Sequence, residues 1–121
     1  MGTRVLIDTN ILIDYLAGFP QAHQELSRPG DKAISVISWI EVLAGLPEAD
    51  HPLVEQFLQR FQLLALTPPI TRKTVAVRKS NRVKLPDAVI LATAQVEGRV
   101  LVTRNTRDFK PGSNVRVPYR L

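Results

Sequence analysis

Short runs rich in β-branched residues alternate with helical segments from one end of this 121-residue chain to the other. Arg4–Val5–Leu6–Ile7, Ala33–Ile34–Ser35–Val36–Ile37, Leu63–Leu64–Ala65–Leu66 and Arg99–Val100–Leu101–Val102–Thr103 read as strands, with Val115–Arg116–Val117 as a last edge strand. Near-continuous apolar runs of this length suit strands buried on both faces. Ile11, Leu12, Tyr15 and Leu16 recur at helical spacing before Gly18, and Pro20 to Leu26 forms a second short helix closed by Pro29–Gly30. Ser38 is read as the cap of a helix beginning near Trp39, with Glu41 at capping-box distance. Asp50 or His51 before Pro52 opens the next, striped by Leu53, Phe57, Leu58 and Phe61. Another runs from Ile70 to about Lys79, and Leu85–Pro86–Asp87 opens the clearest one, Ala88 through Glu97, stopped by Gly98. The alternation predicts an α/β fold, a mostly parallel central sheet with helices on both faces. The length and the lack of repeats or linkers predict a single domain over residues 1–121.

The chain has no cysteine, which excludes disulfides, zinc–thiolate sites, iron–sulfur clusters and thiol catalysis. No apolar stretch approaches the roughly 20 residues that cross a bilayer. The opening Met1–Gly2–Thr3–Arg4 lacks leader anatomy, so a cytoplasmic protein is expected. Formal net charge is +5, which favours a polyanionic partner but describes many solvated basic surfaces equally well.

In an open parallel sheet, ligands bind at the carboxyl ends of the strands, where helices begin. Asp8 ends the first strand, Glu41 follows the second, and Asp87 starts the helix before the last clear strand. Singly, such an acid is an electrostatic partner of a helix N-terminus, worth about 0.3–1 kcal/mol. Gathered at one edge, carboxylates raise one another's pKa and destabilise the fold unless a cation sits among them. An all-oxygen site suits Mg2+ or Mn2+. Such an ion orients and activates water and neutralises charge developing on a phosphodiester. A basic protein with an acidic centre then makes sense: carboxylates hold metal, while arginines and lysines engage backbone phosphates.

Four blocks carry a resemblance: Ile7–Asp8–Thr9–Asn10–Ile11–Leu12–Ile13–Asp14, Ser35–Val36–Ile37–Ser38–Trp39–Ile40–Glu41, Leu85–Pro86–Asp87–Ala88–Val89–Ile90–Leu91–Ala92–Thr93–Ala94 and Leu101–Val102–Thr103–Arg104–Asn105–Thr106–Arg107–Asp108–Phe109. In order and spacing they resemble the successive motifs of PIN domains, and more closely those of VapC-type toxins of toxin–antitoxin pairs. The resemblance implies a PIN-like three-layer α/β/α sandwich and endoribonuclease activity with Mg2+ or Mn2+. It also implies a VapB-type antitoxin reaching into the acidic site, and a homodimer. Asp8 and Asp87 match metal-binding aspartates of the family, and Glu41 matches its glutamate. Thr9 and Asn10 match the small polar residues that steady the first aspartate. A further acid commonly follows the last core strand, where this chain has Asn105. Either Asp108, three residues on, takes that part or Asn105 serves as polar support.

Other residues invite plainer readings. Asp14, six positions beyond Asp8, faces solvent or pairs with a nearby base. His23 and His51 have no partner at metal spacing, and Ser35 and Ser38 lack a histidine–acid relay. Trp39, Tyr15 and Phe109 sit among apolar neighbours and are expected to pack. No glycine-rich phosphate loop is present. The densest basic stretch, Arg72, Lys73, Arg78, Lys79, Arg82 and Lys84, leads directly to Asp87 and is read as an RNA-backbone footprint, with Arg104 and Arg107 across the site.

Three functions compete. An endoribonuclease would use Asp8, Glu41, Asp87 and Asp108 around one or two divalent ions, with Glu41 as ligand or proton acceptor. A non-catalytic PIN-like module would keep the fold and bind RNA or protein. A phosphatase or phospho-accepting domain also uses aspartates at strand ends, but this chain has no Asp-x-Asp pair after its first strand.

Overall fold

The computed structural model describes residues 3–112 and 114–121; Met1 and Gly2, read above as a leaderless start, lie outside them. Five strands, β1 (Thr3–Ile7), β2 (Gly30–Ser35), β3 (Gln62–Leu64), β4 (Val100–Val102) and β5 (Val115–Arg116), form one sheet in the order β3-β2-β1-β4-β5. Every neighbouring pair is parallel. Six α-helices connect or flank them: α1 (Thr9–Leu16), α2 (Pro20–Leu26), α3 (Val36–Ala44), α4 (His51–Leu58), α5 (Pro68–Ser80) and α6 (Leu85–Glu97).

Strand periodicity sorts the core into layers, because successive side chains point to opposite faces. Val5, Ile7, Ile34 and Val102 pack with Ile11 and Leu12 of α1, Val42 and Leu43 of α3, and Phe57 and Leu58 of α4. Leu6, Ala33, Leu64 and Leu101 face the other way, onto Ile90 and Ala94 of α6 and onto Phe109. Helix α5 lies outside α6, joined through Ile70, Val77, Ala88 and Ala92. The result is the expected α/β/α sandwich, with a sheet parallel throughout.

Several boundaries differ from the sequence reading, and the start of α3 changes the setting of site residues. Helix α3 starts at Val36, with Ser35 as its cap: the Ser35 hydroxyl accepts from the Ile37 amide at 3.0 Å. Ser38 is therefore not a cap but a fully buried residue inside the helix, and Glu41 sits in its second turn. Pro68 and Pro69 do not merely end a strand; they form the first turn of α5 behind the Thr67 cap, where proline loses no hydrogen bond. Helix α6 ends as read, with Gly98 left-handed at φ +63°.

The amino edge of the sheet is fastened by a residue not singled out from the sequence. The Arg99 side chain, 1% exposed, donates to the carbonyls of Val5 (3.2 Å) and Asp31 (3.0 Å), the Asp31 carboxylate (3.0 Å) and Gln62 Oε1 (2.8 Å). It ties the start of β4 to β1, β2 and β3, and its guanidinium holds the Asp31 carboxyl below the usual carboxylate range. Gly30 opens β2 at φ +147°, and a Cβ there would meet the Thr3 carbonyl oxygen at 2.7 Å. Gly30→Ala is therefore expected to cost about 1–3 kcal/mol, seen as a lowered denaturant midpoint with an unchanged slope.

Candidate active site

The connections leave β1 toward β2 and β3 on one side, then return to place β4 and β5 on the other. The crevice between the carboxyl ends of β1 and β4 is thus the point where strand order reverses, the usual ligand position in open α/β sheets. Ile7 and Val102 are register partners, and one residue further along each strand stand Asp8 and Thr103. The Asp8 amide still bonds the Val102 carbonyl at 2.9 Å, so the ladder itself sets the height of Asp8.

Asp8 is 3% exposed and also caps α1. Its Oδ1 accepts from the Thr9 amide at 2.7 Å. Its Oδ2 accepts from the Thr103 hydroxyl at 2.6 Å and from Asn10 Nδ2 at 3.2 Å. Burial pushes its pKa up to about 6 against the lowering pull of the Thr103 and Thr9 hydrogen bonds, and the charges of Asp87 and Glu41 push it further. This buried carboxylate has good donors and still resists ionisation.

Glu41 reaches the same edge from α3. Thr9 Oγ1 lies 2.8 Å from Glu41 Oε1 and 2.9 Å from Ser38 Oγ. A hydroxyl carries one proton, so Thr9 donates to the carboxylate and accepts from Ser38. Asp87, third residue of α6, arrives at the start of that helix. Partial burial raises its pKa, as do the neighbouring Asp108 and Glu41, while Lys84 opposes them. Asp108 is held by Asn105, whose side chain donates to Asp108 Oδ2 at 3.0 Å and accepts from the Asp108 amide at 3.1 Å. The Asn105 amide in turn donates to Thr103 Oγ1 at 2.9 Å.

Electrostatic contact thus links Asp8, Glu41, Asp87 and Asp108, and none of the four is in an ion pair among the described residues. Among the described residues no group of three or more acidic or histidine side chains stands together as one that could hold a metal ion. The four acids influence one another through their charge without converging on shared coordination. Their donors are all oxygen, the chemistry a hard divalent ion prefers. Mg2+ takes one or two carboxylates, with waters and substrate phosphates, rather than an all-protein cage.

Sequence reasoning missed Thr103 and Ser38 as site residues. The signal for Thr103 lay in the register: once β1 and β4 are neighbours, the residue after Val102 must stand beside Asp8. Of the two readings of Asp14, solvent or a pairing base, the second holds: it is 4% exposed and receives Arg104 Nε at 2.5 Å, Arg104 Nη2 at 3.0 Å and the Tyr119 hydroxyl at 2.8 Å. The guanidinium of Arg104, expected to face RNA, is taken up by that pair. Arg72, Lys73, Arg78, Lys79, Arg82, Lys84 and Arg107 are exposed. Tyr15 is stacked between His23 and Phe57, and Phe109 is 2% exposed, so both pack as read.

The chain also matches known proteins over nearly its whole length. The PIN-domain family model matches residues 5–111. Ribonuclease VapC10 of Mycobacterium tuberculosis is 31% identical over 123 aligned positions, covering 95% of this chain and 92% of that protein. A toxin–antitoxin complex from Klebsiella pneumoniae contains a chain 41% identical, with a TM-score of 0.89 over 97% of this chain and 99% of that one. DNA-bound VapBC from Salmonella typhimurium aligns at 26% identity and a TM-score of 0.77, covering 94% and 96% of the two chains. With the family model running from β1 through β4 and whole-length likeness to a VapC protein beside it, this chain belongs to the PIN-domain family, among its VapC members.

Proposed function

We propose that this protein is an endoribonuclease dependent on Mg2+ or Mn2+ and the toxin of a toxin–antitoxin pair. The observation that carries this reading is Asp8: a buried carboxylate, its pKa pushed up to about 6 chiefly by burial, with the charges of Asp87 and Glu41 adding to that and none of the three in an ion pair among the described residues. Such an arrangement is stable when a cation joins it. Asp8, Asp87 and Glu41 would hold the ion, with Asp108 as the fourth acid, positioned by Asn105. The metal supplies charge neutralisation at the phosphodiester and a water of lowered pKa.

The chain's own residues do the rest. Thr103, Asn10 and the Thr9 amide fix the orientation of Asp8. Thr9, itself backed by Ser38, holds Glu41, which stays exposed at the edge of the cleft. Exposed Arg72, Lys73, Arg78, Lys79, Arg82 and Lys84 run along α5 and its link to α6 toward Asp87, and Arg107 flanks the opposite loop. They would engage backbone phosphates and position RNA without reading its sequence. A VapB-type antitoxin and a second copy of the chain are the proposed partners, supported by the toxin–antitoxin complexes among the structural relatives. Among the described residues no helix is long and apolar enough to cross a membrane.

The deciding experiment incubates purified protein with total cellular RNA, with Mn2+ or with EDTA, and maps the cut ends. Discrete ends that appear only with metal support the proposal; RNA left intact at millimolar Mn2+ would favour the non-catalytic module. Thr103→Val keeps the shape but removes the donor to Asp8. It is expected to lower cleavage about 10–100-fold, as loss of a group orienting a metal ligand does. Thr103→Ser should retain most of the activity, measured on one fluorogenic RNA.

A further inference from the structure

Asp14 has no part in holding metal, yet it is among the most fully bonded acids in the molecule. It lies on α1, 4% exposed, with both carboxylate oxygens engaged. Oδ1 accepts from Arg104 Nη2 at 3.0 Å, and Oδ2 accepts from Arg104 Nε at 2.5 Å and from the Tyr119 hydroxyl at 2.8 Å. A bidentate arginine–carboxylate pair fixes orientation as well as distance. Arg104 is the first residue of the loop that leaves Thr103 and carries Asn105 and Asp108.

The bonds continue inward from there. The Arg104 amide donates to Asn10 Oδ1 at 3.2 Å. That contact sets which face of the Asn10 amide points inward, and Asn10 Nδ2 then donates to Asp8 Oδ2 and to Thr103 Oγ1, both at 3.2 Å. One residue on, the Asn105 amide bonds Thr103, and the Asn105 side chain holds Asp108. The chain of contacts thus runs from Tyr119, beyond β5 in the C-terminal segment, through Asp14 and Arg104 to Asp8 on one branch and Asp108 on the other. Tyr119 is itself half-buried against the core cluster beneath α1.

We propose that Asp14 is a positioning residue for the acidic site and that Tyr119 makes the C-terminal segment part of the same device. The pair of contacts on Asp14 fixes the Arg104 backbone, and that backbone aligns Asn10 against Asp8 and presents Asp108. The proposal rests on the nuclease reading for its effect on turnover, but not for its effect on Asn10.

The test compares Asp14→Asn and Tyr119→Phe with Asp31→Asn. Asp31 also pairs with an arginine, Arg99, but at the amino edge of the sheet and with no bond to the acidic site, so its variant controls for lost stability alone. Three readouts are taken: kcat and KM on a fluorogenic RNA with saturating Mn2+, Mn2+ affinity by electron paramagnetic resonance, and the Asn10 side-chain NH2 signals in the metal-free protein by NMR. Asp14→Asn is expected to lower kcat about 10–100-fold with KM within about threefold, to weaken Mn2+ binding, and to shift the Asn10 signals. Tyr119→Phe should move all three the same way by a smaller factor. Asp31→Asn should lower the melting temperature and leave them unchanged.

Unmoved Asn10 signals in Asp14→Asn, or a fall in kcat no larger than that of Asp31→Asn, would overturn the positioning role. If the wild-type protein neither cleaves RNA nor binds Mn2+, the nuclease reading fails by itself, and the NMR comparison still decides whether Asp14 orients Asn10.

Discussion

Asp8→Asn is expected to reduce metal-dependent RNA cleavage by about 10^2–10^3-fold, the size of losing one preorganised charged group at a reacting centre. The same substitution should make the metal-free protein more stable at neutral pH. Asp8 has its pKa raised from 3.8 to about 6 in the folded state, chiefly by burial. A carboxyl with a raised folded pKa binds its proton more tightly folded than unfolded, so stability falls as pH rises between the two values. In EDTA, wild-type stability should therefore decline from about pH 4 to about pH 6, with roughly 3 kcal/mol lost to this one group above that window. An amide at position 8 removes the charge but mismatches the donors Thr103, Asn10 and the Thr9 amide, at about 1–1.5 kcal/mol. The net gain at pH 7.5 is then about 1–2 kcal/mol, read from urea unfolding in EDTA. Mn2+ should stabilise the wild type strongly and the variant weakly. A variant that cuts RNA at the wild-type rate, or that unfolds more easily in EDTA, would remove Asp8 from the centre of the site.

Phe109→Ala carries the largest expected loss of stability, about 3–5 kcal/mol. Phe109 is 2% exposed and fills the space among Leu6, Leu101, Ile90 and Val115 on the α6 side of the sheet. It directly follows Asp108, and its amide bonds the Asn105 carbonyl at 3.3 Å. The ring therefore anchors the loop that presents the fourth acid. The variant should unfold at markedly lower urea and, where still folded, cleave RNA more slowly than its folded fraction accounts for. Phe109→Leu, which keeps an apolar plug, should recover most of the stability and the activity. Equal stability of the alanine variant and the wild type would contradict the packing described for this ring.

Much of the frame was legible because it depends on local rules. The apolar runs of β1, β2 and β4 and the Gly98 stop of α6 each follow from composition and spacing alone. Asp8 was legible for the same reason, as a charge at the end of an apolar strand. What could not be read depends on which strands become neighbours. Thr103 is an ordinary threonine until β4 lies beside β1, and Arg99 is an ordinary arginine until three strands bring their polar groups to it. Ser35 and Ser38 were ambiguous because both stand near a strand–helix junction, and tertiary packing decided which one capped the helix. Asp14 was left between solvent and a nearby base, and Arg104 was assigned to RNA, because their pairing crosses 90 residues of chain. Tyr119 adds a third partner from a segment with little regular structure to betray it.

The partnership of Asp8 with Thr103 also bears on when this molecule becomes harmful to the cell that makes it. Asp8 is translated well before the hydroxyl that orients it, which lies 95 positions further along. A ribosome that has not yet made β4 holds the early acids with nothing to set beside β1. On the nuclease reading, an enzyme that would destroy RNA at its place of synthesis stays inert until β4 has emerged.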